Sequence, residues 1–105
     1  MTRIYAVNSD KEKLFILTNN VCFVATMAME AGWYMWTIRR VGKNAGDYSD
    51  AFHARSNNRK LAVQEVIRQC ELRNEVGDGV DALKTRDSFA EAGVIGKEEK
   101  ISDWS

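Results

Sequence analysis

The sequence predicts an α+β domain in which a small antiparallel sheet of about four strands packs against two to three helices, in the order ββαββαα. Three observations lead there. Residues 33–41 place apolar side chains on both alternating faces, as a central strand does. Leu61, Ala62, Val66, Ile67 and Cys70 recur at helical spacing behind a cluster of capping residues, Ser56-Asn57-Asn58. Breaks rich in Gly, Asn and Asp separate these segments from their neighbours.

Residues 3–8 hold the strand formers Ile4, Tyr5 and Val7, and the polar run Ser9-Asp10-Lys11-Glu12 turns the chain. Residues 13–18 then return as the second arm of a hairpin. Ser9 and Glu12 also match the spacing of a capping box, but Phe15, Ile16 and Thr18 favour strand over helix. Residues 20–31 change to Ala, Met and Glu, with Asn20 placed as an N-cap and Gly32 as a stop, which predicts a short buried helix. Its apolar stripe would hold Val21, Val24, Ala25, Ala28 and Met29, while Phe23 and Met27 leave little polar face and keep a strand open for its first half.

In residues 33–41, Trp33, Met35 and Thr37 share one face and Tyr34, Trp36 and Ile38 the other. The loop 42–47 carries two glycines, and residues 48–55 return as an antiparallel partner. The helix predicted over 59–74 turns Arg59, Lys60, Gln64, Glu65, Arg68 and Glu71 to solvent. Val76-Gly77-Asp78-Gly79 reads as a hinge, residues 80–92 as a shorter helix, and residues 93–105 as a fraying tail. The expected division is therefore a core over 1–76 and, over 77–105, a C-terminal helix with an acidic, partly flexible extension.

A chain of 105 residues with 45% hydrophobic residues carries one core without needing disulfides or a structural metal. The two cysteines, Cys22 and Cys70, stand far apart with no Cys or His at ligand spacing, so both read as buried thiols in a reducing, cytoplasmic protein. No secretory signal pattern opens the chain, and the apolar region 14–36 is interrupted by Asn19, Asn20 and Glu30, which excludes a membrane helix. The formal net charge of zero conceals a split: residues 1–73 hold 11 basic against 7 acidic side chains, and residues 74–105 hold 4 against 8. A mildly basic body and an acidic tail follow.

Chemistry finds little foothold. His53 is the single histidine, and a Cys-His pair with Cys22 or Cys70 has no local signature around either thiol. Asp47 and Asp50 sit beside a Gly-bearing loop, where Asp commonly serves the turn. The glycines at 42 and 46 precede a strand, the wrong context for a phosphate cradle, and Asp81 beside Gly77-Asp78-Gly79 would repel an anion. The expectation is a non-enzymatic protein with no catalytic residue, cofactor or metal.

A binding surface has a better physical case. Trp33, Tyr34, Trp36, Arg39 and Arg40 lie in one predicted strand, Tyr48 and Arg55 in its partner, and Arg59 and Lys60 open the following helix. Aromatic rings flanked by cations suit single-stranded nucleic acid, and the same composition suits a protein anchor. The strand-strand-helix run over 33–73 resembles the second half of a double-stranded-RNA-binding domain, with Arg59-Lys60 where that family carries several lysines and N-terminal strands where it has a helix. In the tail, Ile101 and Trp104 offer hydrophobic anchors. The expected partner is another protein, contacted through Trp33, Arg39, Arg40, Tyr48, Arg55, Arg59, Lys60 and Trp104. Nucleic acid is the alternative partner, and a homodimer closing the sheet edges a third arrangement. Small accessory or inhibitory proteins of phages and mobile elements share this profile.

Overall fold

The computed structural model describes residues 2–41, 51–74 and 81–104. Five strands, β1 (Arg3–Val7), β2 (Asp10–Leu17), β3 (Cys22–Glu30), β4 (Trp33–Arg40) and β5 (Phe52–Ser56), form one antiparallel sheet in sequence order. Two α-helices follow, α1 (Arg59–Leu72) and α2 (Ala82–Glu91), and a 3-10 helix at Ile101–Trp104. The α+β class holds, with five strands in place of about four and the order βββββαα. The predicted loop 42–47, Tyr48, Asp47, Asp50 and the hinge over 76–79 lie outside the described residues.

Residues 22–30, expected as a helix, form the central strand. Two-residue periodicity prevails there: Phe23, Ala25 and Met27 enter one core cluster, Cys22 enters the other, and Thr26 is exposed. Gly32 does not stop a helix. With φ of 49° at Ala31 and 83° at Gly32, the two residues make a tight hairpin turn closed by the Glu30–Trp33 pair. Asn20 is no N-cap either. Its backbone N–H donates to Asn74 Oδ1 at 2.9 Å, and the Thr18 hydroxyl lies 2.6 Å from the same oxygen. The β2–β3 turn is thus clamped to the end of α1, a partnership 56 residues distant in sequence that no local pattern announces.

Alternation along the strands divides the core between two faces. On the first, Leu14, Ile16, Phe23, Ala25, Trp36, Ile38 and Ala54 meet Ala62, Val63, Val66 and Cys70 of α1. The helical stripe is rotated from the predicted one, since Leu61 is left exposed. On the second face, Tyr5, Phe15, Leu17 and Cys22 meet Ala82, Phe89 and Ile95 from the C-terminal part. Asp81 caps α2, accepting from Leu83 N–H at 3.0 Å and Lys84 N–H at 3.2 Å.

The residues expected to fray are built in. Val94 to Glu99 runs beside β1, with bridges Val7–Ile95 and Ile4–Glu99. Trp104, expected as an exposed anchor, is only 1% exposed and packs edge-on against Trp36, ring centroids 6.0 Å apart. Acidity of the tail concealed this, because Glu99 turns its charge to Lys11 at 3.3 Å while the apolar residues turn inward. Among the described residues, no helix is long and apolar enough to cross a membrane.

Asn58 caps α1 as the sequence suggests, its Oδ1 accepting from Leu61 N–H at 3.0 Å. Asn58→Ala is expected to cost about 1 kcal/mol, read as a lowered urea midpoint with an unchanged slope. A midpoint equal to that of the parent would mean that the cap is replaced by solvent.

Candidate functional site

Among the described residues, the second face of the sheet is covered at one end only. Helix α2 packs on β2 and β3, while the register of β3, β4 and β5 carries that face onward past the helix. Met35 pairs with Arg55 and Ala28, Thr37 with His53 and Thr26, Val24 with Arg39, and Lys13 with Thr26. Cross-strand partners point to the same side, so Lys13, Thr26, Ala28, Glu30, Trp33, Met35, Thr37, Arg39, His53 and Arg55 share one surface. Its cations outnumber its carboxylate, with Lys13, Arg39 and Arg55 against Glu30.

Trp33 is 40% exposed beside the β3–β4 turn, and the Arg55 guanidinium lies 5.1 Å from its ring centroid. The contact orders both side chains and leaves the arginine charge available. Beside them, Thr37 Oγ1 and His53 Nδ1 approach to 3.5 Å across the β4–β5 ladder. An exposed patch of Trp33, Arg39, His53 and Arg55 results, with the partly buried Met35 and Thr37 between them.

The structure divides the predicted set of binding residues. Trp33, Arg39 and Arg55 come together on this face. Tyr34 and Arg40 belong to the opposite face by alternation, Arg40 pairing with Phe23. Arg59 stands on that side as well, its guanidinium 6.0 Å from the Tyr34 ring. Lys60 is half-buried on the first turn of α1. Trp104 is enclosed in the core, and Tyr48 lies outside the described residues. The basic residues that follow one another along the chain therefore do not form one continuous surface.

Sequence reasoning passed over Lys13, Met35 and Leu61. The first two follow from the strand register once residues 22–30 are read as a strand. Leu61 has an apolar identity at helical spacing, and only the packing of α1 makes it 52% exposed.

The buried thiols occupy other places. Cys22, on β3 beneath α2, has its Sγ 3.3 Å from the Ala82 carbonyl oxygen, to which it donates. Burial pushes its thiol up to about 12, against a smaller lowering by Arg86. Cys70, in the α1 core, is raised further by burial. His53 projects from the exposed patch, and Cys70 packs on the other side of the sheet. Among the described residues, no group of His, Cys, Asp or Glu side chains is arranged to hold a metal ion.

No protein-family model matches the chain, and neither the curated proteins nor the solved structures yield a match to it.

Proposed function

We propose that this chain is a non-catalytic binding module that docks on another protein through the exposed part of its second sheet face, centred on Trp33, Arg39 and Arg55. The observation that carries this reading is the contact of the Arg55 guanidinium with the exposed Trp33 ring on a sheet face that also carries Met35 and Arg39. Trp and Arg dominate the energetics of protein interfaces because each joins a large apolar area to directional polar contact. Nucleic-acid binding has less support, since Arg39 and Arg55 are separated by the sheet from Arg40 and Arg59, and among the described residues no single basic track links them. Two reduced, buried thiols suit a cytoplasmic setting. An accessory or inhibitory role, of the kind small phage proteins perform, fits a module that acts by covering a partner's surface.

The test is affinity capture from the native host with nuclease treatment, followed by titration of the purified partner. Trp33→Ala combined with Arg39→Glu is expected to weaken that complex by about a hundredfold or more, with thermal stability close to the parent because both side chains are exposed. Capture abolished by nuclease would transfer the reading to nucleic acid. Undiminished affinity of the double variant would reject this face.

A further inference from the structure

Ion pairing is uneven over this molecule. Arg3 meets Glu98 at 3.5 Å, Lys11 meets Glu99 at 3.3 Å, Arg68 meets Glu65 at 2.6 Å and Arg86 meets Asp87 at 2.8 Å. Lys13, Arg39 and Arg55, all exposed on the second face of the sheet, have no such carboxylate among the described residues. Arg55 lies instead against the Trp33 ring, a contact that leaves its charge unneutralised. Among the described residues, Glu30 is the one carboxylate that the strands place on this face, so the patch is positive whatever the protonation state of His53.

Strand register fixes where these charges stand. Lys13 shares a row with Thr26, Thr37 and His53, Arg55 a row with Met35 and Ala28, and Arg39 a row with Val24. With about 3.4 Å per residue along a strand and about 4.8 Å between strands, the three cations occupy the corners of a triangle with sides of roughly 12–16 Å. Its floor is Thr26, Ala28, Met35 and Thr37, uncharged and short apart from the methionine. Helix α1 lies behind β4 and β5, and α2 covers the neighbouring part of the same face over β2 and β3.

Shape and charge together select the occupant. A sheet face offers no backbone donors or acceptors, because these are spent within the ladder, so whatever lies on it must satisfy its own backbone. An α-helix does so, and its diameter of about 10 Å fits between corners at that spacing. A helix there continues the layer that α2 begins. Its flanks must carry carboxylates. A second copy laid face to face would bring the same three cations against each other with a single Glu30 from each side, which is repulsive. Nor does a second copy offer its acidic part. Asp81 caps α2, Asp87, Glu98 and Glu99 are ion-paired, and Asp103 Oδ2 accepts from Lys100 N–H at 2.8 Å, which leaves Glu91 alone among the described carboxylates of residues 81–104. A nucleic-acid strand sets its phosphates along one line, whereas these cations stand at three corners.

We infer that the second face of the sheet binds an acidic amphipathic helix of a partner protein, laid over β3 and β4 beside α2, with its apolar stripe on Trp33, Ala28 and Met35 and carboxylates on its flanks at Lys13, Arg39 and Arg55. This partner is a narrower form of the docking function proposed above and rests on it. Its apolar residues recur at i, i+3, i+4 and i+7, with Glu or Asp beside them.

The test uses the full chain, isotopically labelled, and a capped peptide of about five helical turns with Leu at that spacing, Glu at the flanking positions and Ala and Gln on the remaining face. Saturable amide shifts are expected at residues 26–30, 33–39 and 53–55, with helicity induced in the peptide and affinity that falls as salt is raised. Lys13→Glu and Arg39→Glu, both at exposed positions, should each weaken binding about tenfold or more. Lys97→Glu, an equal change of net charge on the segment beside β1, should bind as the parent does. A peptide with Lys in place of Glu, or one of the same composition in scrambled order, should lose binding by at least as much as the variants. Equal binding by either peptide, equal weakening by Lys97→Glu, or no saturable shift at these residues would overturn the proposal. Tighter binding of a mixed-sequence DNA or RNA dodecamer at the same residues would overturn it in favour of nucleic acid. Shifts there on raising the protein concentration without peptide would do so in favour of a second copy. If the captured partner is lost on Trp33→Ala with Arg39→Glu yet keeps its affinity with Lys13→Glu and in high salt, docking on this face stands and the acidic helix falls.

Discussion

Trp104→Ala is expected to destabilise the domain by about 3–5 kcal/mol, although it lies in the acidic segment that the sequence marks as a fraying tail. The indole is almost wholly enclosed, its ring set at 66° to Trp36, and Lys11 Nζ stands 4.5 Å above it. Its 3-10 helix packs against α1. Neither Trp36 Nε1 nor Trp104 Nε1 meets an acceptor among the described residues, so the pair is held by packing area and ring geometry, which alanine removes together. Domains of this size have total stabilities of roughly 5–15 kcal/mol, so the loss takes a large share. Thermal unfolding should shift down by about 15–30 °C. Trp104→Phe, which keeps an aromatic edge toward Trp36, should lose much less. A shift of only a few degrees for the alanine variant would mean that the tail is an ornament to the core rather than one of its walls.

The burial of Trp104 marks the limit of what could be read locally. Period-two alternation in residues 33–41 correctly placed Trp33, Met35 and Thr37 on one face, and the capping residue and apolar spacing located α1. These signals are contained within a few residues of chain. The central strand was hidden because Ala25, Ala28, Met27 and Met29 suit a helix as well as a strand, and pairing with β2 and β4 decides between them. A tertiary choice overrode a weak local preference. The same holds for the candidate site: Trp33, Arg39 and Arg55 were legible as residues, but the sheet alone separates them from Arg40 and Arg59. Leu61 is the converse case, an apolar residue that periodicity assigned to the core and that the packing of α1 leaves half exposed beside β5.

Both thiols are expected to resist modification in the folded protein. At pH 8, alkylation should run more than about a thousandfold slower than for a free cysteine, because the thiolate is the reacting species and burial suppresses it. Cys22 is 1% exposed and Cys70 fully enclosed, and for each the largest influence is the loss of solvation of the charged form. Arg86 near Cys22 and Arg73 near Cys70 pull the other way without prevailing. Reaction should therefore proceed only through opening of the fold, with a rate that rises with urea and becomes that of a free thiol once the chain is unfolded. The sign of the linked pH effect follows. A thiol raised above its unfolded value binds its proton more tightly when folded, so its contribution is complete below the unfolded range near pH 8–9 and is lost as pH climbs toward the folded value, about 12 for Cys22. Thermal stability should accordingly fall on the alkaline side, and Cys22→Ala should flatten part of that fall while lowering stability at neutral pH. Rapid stoichiometric labelling of either cysteine, with native circular dichroism retained, would contradict the enclosure described above. It would also place a reactive sulfur within reach of solvent and reopen nucleophilic chemistry for this fold.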